Sequence, residues 1–219
     1  KKSTSTVKKT ANGTVDKRTK EGKEIYNAFL IESEGKDVIS ADDMEVIRDM
    51  AKVINENPYA VKLLDGTHEE SFFWTDRETG EVCKCRPDSF TEIDGTHIIV
   101  DYKTTDSAEQ FDFMKSAIKF GYDLQTAMYS EGMKANTGND YEFIFIAQEK
   151  KAPYAINILV VDDDFKREGK NLFHELLGIY HECKLTDNWY GYMGKDNDAQ
   201  SLGLPAWLKN SLDGANAES

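Results

Sequence analysis

The chain has 219 residues and a mass of 24.8 kDa, too long for a peptide module and short for two full domains. At 39% hydrophobic and 31% charged residues, with no apolar run longer than Phe143–Ala147, it excludes fibrous, wholly disordered and membrane-spanning classes. Its net charge of −13 is uneven: residues 1–23 hold eight basic groups against Asp16 and Glu21, leaving −19 on the rest, so a basic arm could still grip phosphates locally. Because it begins at Lys1, the chain is expected to be a fragment or processed piece, and its polar start lacks the apolar core of a signal peptide.

Residues 1–15 read as a basic flexible segment, 16–190 as one domain and 191–219 as a polar tail. Apolar spacing predicts a helix over Asp16–Ile31 and a second after Ser40, whose Ser-Ala-Asp-Asp start is a near capping box and whose end or bend lies at Asn57-Pro58. Alternation over Glu70–Trp74 and Glu81–Arg86 around Gly80 predicts one hairpin. A second is expected from Phe90–Ile93 and His97–Val100 around Asp94-Gly95. Helical period returns over Ala108–Phe120 and Tyr122–Lys134, broken at Gly121, followed by strands at Tyr141–Ala147 and Ala155–Val161. Asp162-Asp163-Asp164 caps a helix to about Leu185, and Pro205–Asn210 is a short helical candidate. The order implies an α/β fold: a mixed central β-sheet flanked by helices.

Several signals read as structural. Cys83, Cys85 and Cys183 lack disulfide spacing and are one too few for a four-thiolate cluster, so reduced thiols are expected. His68, His97, His174 and His181 show no zinc spacing, and no glycine-rich phosphate loop supports ATP use. Phe111, Phe113 and Phe120 are expected in the core, with the wedging of DNA ends as the alternative for one of them.

One constellation stands above these: Pro87-Asp88, then Asp101-Tyr102-Lys103 directly after the apolar run Ile98-Ile99-Val100. Asp88 and Asp101, expected at the ends of neighbouring strands, would bring two hard oxygen ligands to one point, as suits Mg²⁺, with the Tyr102 carbonyl available to the same shell. Lys103 returns to the face of Asp101, where its ammonium could orient an attacking water or offset phosphoryl charge. Asp-x-Lys after an apolar strand is also common by chance, and a strand-end Asp often caps a turn.

The surrounding blocks remove that ambiguity. Lys84-Cys85-Arg86-Pro87-Asp88, Val100-Asp101-Tyr102-Lys103-Thr104-Thr105 and Gly121-Tyr122-Asp123-Leu124-Gln125-Thr126-Ala127-Met128-Tyr129 closely resemble the exodeoxyribonuclease VIII (RecE-type) phage recombination nucleases. These form part of the RecB-like branch of the PD-(D/E)xK superfamily. Asp16–Lys23 and Glu69–Asp76 resemble the same family, so the likeness runs from about residue 14 to 185. It implies a restriction-endonuclease-like core with Asp88 and Asp101 as metal ligands and Lys103 as catalytic lysine. Gln125 and Tyr129 match the Gln-x-x-x-Tyr motif, and their spacing puts both on one helix face, near lysine or a DNA phosphate. Glu69, with Glu70 the alternative, matches a strand glutamate, and Thr104 is a further substrate-binding candidate. The family's Gly-x-x-x-His-like helix has no counterpart before these blocks, and His68 is misplaced to replace it. The family also often has His where Asp123 stands.

The resemblance therefore implies an exonuclease dependent on Mg²⁺, with Mn²⁺ as substitute, acting on double-stranded DNA ends, 5′→3′. It further implies a RecT-like single-strand annealing partner, a ring-shaped homo-oligomer, and a cytoplasmic setting in a bacterial host, phage- or prophage-encoded. The alternatives are an endonuclease or CRISPR-adaptation type processing nuclease with the same residues, or a catalytically impaired DNA-binding or assembly module.

Overall fold

A computed structural model describes residues 19–195, 198–199 and 201–205. The basic segment 1–15, most of the 191–219 tail and the Pro205–Asn210 helix beyond Pro205 lie outside the described residues.

The helices start where side chains meet their orphan amides. Thr19 caps α1 (Lys20–Glu32) by accepting from the Gly22 N–H, and Ser40 caps α2 (Ala41–Asn55) by accepting from the Asp43 N–H. Asn57-Pro58 does not simply end α2. Asn57 Oδ1 accepts from the Tyr59 and Ala60 N–H groups and Pro58 takes the first helical position, so a further helix, α3 (Pro58–Leu64), begins at once. The sequence reading missed α3 because its stop signal is also a start signal.

Next come β1 (Thr67–His68), β2 (Phe72–Thr75), β3 (Val82–Cys85), β4 (Ser89–Ile93) and β5 (Thr96–Thr105). Helices α4 (Gln110–Phe120) and α5 (Tyr122–Thr137) then lead to β6 (Glu142–Glu149), β7 (Ile156–Val160) and α6 (Asp163–Thr186). The main sheet has five strands in the order β1-β4-β5-β6-β7. Its β5–β6 pair is parallel, joined by the α4–α5 crossover, and its other pairs are antiparallel. The sheet is mixed and flanked by helices, as expected from the sequence.

The β2–β3 hairpin stands apart as a two-stranded sheet. Its inward residues Trp74 and Cys83 pack against Ala127 of the helix Tyr122–Thr137 and Phe173 of the helix Asp163–Thr186 in a small cluster. On the α4–α5 side of the main sheet Ile99, Phe143 and Phe145 pack with Phe113 and Met133, while Ile98, Val100, Ile144 and Ile146 face α3 through Ala60 and Leu63. Strand β5 is thus buried on both faces, which is why its apolar run is continuous rather than alternating. Of the three phenylalanines expected in the core, only Phe113 is there. Phe111 and Phe120 are 60% and 63% exposed, because α4 buries only one stripe against the sheet.

All three cysteines are free and buried, and burial pushes the Cys83 thiol up and the Cys85 thiol up to about 11. No helix among the described residues is long and apolar enough to cross a membrane.

Candidate active site

The site grows from a fork in the sheet. β4 pairs with β5 only as far as Ser89, opposite Val100, while β5 continues beside β6 to Thr105. One register step further places Asp88 opposite Asp101, on the same face of the sheet. Asp101 is therefore not at a strand end, as expected, but mid-strand. The end belongs to β4 alone, which Asp88 immediately precedes.

Each member of the cluster is held by a particular contact. The Tyr102 N–H donates to Asp88 Oδ2 at 2.9 Å, so Asp88 takes over the ladder position that β4 has vacated. A strand residue turns its N–H and C=O to the same edge, so the Tyr102 carbonyl is carried on the Asp88 side. The Tyr102 side chain points through the opposite face, where its hydroxyl donates to Gln148 Oε1 at 2.5 Å. Gln148 is fully buried and donates in turn to the carbonyls of Met50 and Tyr154, which ties α2 and the β6–β7 turn to β5.

Asp101 is 1% exposed. Gln125 Nε2 donates to its Oδ2 at 2.5 Å, and the Lys103 ammonium lies 2.6 Å from its Oδ1. Burial raises the Asp101 carboxyl, Lys103 pulls it down, Asp88 raises it and Gln125 lowers it; desolvation wins, leaving it at about 6. Lys103 sits over the Tyr122 ring, 4.7 Å from its centroid, a cation–π contact that aims the ammonium along the sheet face. Tyr129, one turn beyond Gln125, hydrogen-bonds with it and packs on Phe143; burial pushes its phenol up, so it stays a neutral hydroxyl.

Geometry thus brings together Asp88, Asp101, Lys103, Gln125 and Tyr129, with the Tyr102 backbone beside them. It does not bring Thr104, whose exposed side chain shares the Tyr102 face of β5. Glu69 is not a strand glutamate: it lies in the turn between β1 and β2 with φ 54°, half-exposed and paired with Arg86 at 2.9 Å. Only its backbone reaches the site, through an N–H donated to the Asp88 carbonyl at 3.4 Å. His68 pairs opposite Ser89 and so faces away from the carboxylates. Sequence reasoning missed the roles of Tyr122 and Gln148; the Gly121-Tyr122 step just before Gln125 carried the first, and nothing local signals the second.

The donor set fits a hard divalent cation. Asp101 Oδ1 is buried with the Lys103 ammonium 2.6 Å away, and a second carboxylate stands opposite. Among the described residues no third His, Cys, Asp or Glu joins them, so water and substrate oxygens would complete the shell of a metal held by Asp88, Asp101 and the Tyr102 carbonyl. A thiolate- or imidazole-loving ion has no partner here.

Comparisons with known proteins bear on the family and the fold. The profile of a family described as a PDDEXK-like domain of unknown function (DUF3799) matches residues 5–200. A crystal structure from Eubacterium rectale, described as that of a candidate exonuclease, superposes with TM-score 0.58 at 18% identity, covering 86% of this chain and 74% of that one. At that identity the likeness speaks for the fold. The structure of SSO0001 aligns with TM-score 0.35 and 15% identity over 71% of this chain and 65% of that one, too slight to carry an argument. No curated protein matches the chain.

Proposed function

The chain belongs to the DUF3799 family of PDDEXK-like domains, whose superfamily comprises nucleases that generally use divalent metals, and on that premise we propose that it is an exonuclease acting on double-stranded DNA ends. The observation that carries the proposal is the buried Asp101, held between Gln125 and Lys103 with Asp88 opposite. Mg²⁺ is the cation we assign, with Mn²⁺ as substitute, because two carboxylates and a carbonyl leave half of an octahedral shell to water and phosphate. When bound, that cation supplies Lewis-acid polarisation of the phosphoryl oxygens and a water of lowered pKa.

The chain's own residues supply the rest. Asp88 is held by a hydrogen bond from the Tyr102 N–H. Gln125 leaves Asp101 one oxygen committed and one facing Lys103. The Lys103 ammonium stands at the other oxygen, where it would offset charge developing on the phosphate or orient the attacking water. Tyr129 supports Gln125 and offers a neutral hydroxyl at the rim.

Polarity 5′→3′, a single-strand annealing partner, a homo-oligomeric ring and a cytoplasmic, phage-type recombination setting complete the reading, and rest on the family resemblance of the motif blocks. Digestion of linear duplexes labelled at either end, beside a covalently closed circle, tests it. Label loss from 5′ ends with the circle intact is expected. Nicking of the circle would make the enzyme an endonuclease, and binding without any metal-dependent cleavage would make it an impaired module. Sedimentation showing a strict monomer on DNA would remove the ring.

A further inference from the structure

Phe120, the last residue of α4, is 63% exposed, whereas Phe113 of the same helix is 3% exposed and packs on Phe145. Burying a phenyl ring is worth about 2–3 kcal/mol, so a ring left mostly in water contributes little of that to the fold. Its position is nevertheless fixed. Gly121, in the left-handed region at φ 69°, closes α4 and starts α5 at once, a turn that L side chains rarely adopt. The turn sets the Phe120 ring 6.1 Å from that of Tyr122, inclined by 30°. Tyr122 in turn carries the Lys103 ammonium, and Lys119 Nζ stands 5.5 Å from the Phe120 centroid. A cation-bearing aromatic face therefore lies one ring away from Lys103, outside the cluster that holds Asp101.

We propose that Phe120 is a stacking platform for a nucleobase with a free face, an unpaired or terminal base of the strand being cleaved, and that Lys119 meets an adjacent phosphate. The inference rests on the nuclease reading above and names the form of DNA that the site takes. A base inside a duplex is covered on both faces by its neighbours, so an exposed ring can receive only a base from a strand end, an overhang or a gap. Aromatic rings bind such bases without regard to sequence, and an adjoining lysine adds the phosphate contact that makes the site salt-sensitive. Continuity with Tyr122 and Lys103 favours nucleic acid over a protein partner on this face. Phe111 provides an internal control: it is 60% exposed with Lys115 4.1 Å over its ring, but it begins the helix that Phe120 ends, about 13 Å along the axis.

The test is run in EDTA, so that it reads binding and not turnover. A duplex oligonucleotide carries 2-aminopurine as an unpaired terminal base, and a companion hairpin carries it fully paired inside the stem. Wild type should quench the terminal probe and leave the internal one unchanged. Phe120→Ala should bind the terminal probe about tenfold more weakly or worse, without quenching. Phe120→Trp should restore both, and Phe111→Ala should behave as wild type. Equal binding and quenching by Phe120→Ala would overturn the proposal, as would equal losses in Phe111→Ala, which would make the effect one of general surface aromatics. A thermal melt of Phe120→Ala at the wild-type temperature excludes misfolding, and the tryptophan variant covers the case where it fails. Failure of the nuclease reading would show separately, as wild type that cuts no DNA with Mg²⁺ or Mn²⁺.

Discussion

Asp101 holds opposed demands in one carboxyl group. Burial favours its neutral form, while Lys103 and Gln125 favour the anion that a cation needs, and the balance at about 6 is a raised value. For a raised carboxyl the sign is fixed: its stabilising contribution is full below the ordinary aspartate value near 4 and is lost as pH climbs through about 6. Metal-free protein should therefore carry a penalty on the order of 3 kcal/mol at neutral pH from this residue. Asp101→Asn should flatten the stability profile between about pH 4 and 6, as read by urea denaturation. Metal affinity runs the other way. Below pH 6 it should fall about tenfold per unit, and above it should level off, as measured by calorimetric titration of Mn²⁺. Lys103→Ala removes the ammonium beside Asp101 that we propose meets the phosphate, and should cost at least about a hundredfold in cleavage rate, with binding of the metal retained.

Between elements, the placement of Gln125 depends on how closely α6 approaches the start of α5. A Cβ on Gly169 would come 2.1 Å from the Asp123 carbonyl oxygen, which is backbone and cannot step aside. Alanine is otherwise the better helix former by about 1 kcal/mol, so the sign of Gly169→Ala is decided by the clash. Overpacking of this kind costs about 1–3 kcal/mol and would push the first turn of α5, hence Gln125, off Asp101. Gly169→Ala should melt lower and lose activity together, whereas Gly178→Ala on the same helix, with nothing within 4 Å, should do neither.

Much at this scale was legible from the chain alone. The caps at Ser40 and Asp162, the Gly121 break and the two runs of β6 and β7 each announce themselves within a few residues. What could not be read depends on long-range pairing. The two residues of β1 are too few for a pattern, and Asp101 looked like a strand end because the sequence cannot tell where β4 leaves β5. Glu69 sits between strand-like neighbours, and only its positive φ and its pairing with Arg86 remove it from the sheet. Asp88, Asp101, Lys103 and the Gln125–Tyr129 pair were singled out by the motif blocks that resemble a nuclease family, and strand and helix periods add which face each occupies.

For the whole molecule, a body of charge −19 presents its substrate with a repulsive field except where lysines gather. DNA binding should weaken steeply between 50 and 200 mM salt, and a divalent cation that offsets Asp88 and Asp101 should strengthen it. The same cation binds only the folded chain, so at a hundred times its Kd it should add about 2.7 kcal/mol of stability. For a chain of this size that is about 5–10 °C in Tm, absent in Asp101→Asn. The most direct measurement of the central claim is digestion of linear duplex DNA by wild type and Lys103→Ala, each with Mg²⁺ and with EDTA. The account predicts strand loss only for wild type with Mg²⁺. Cleavage that survives EDTA, or that Lys103→Ala performs as well as wild type, would contradict it.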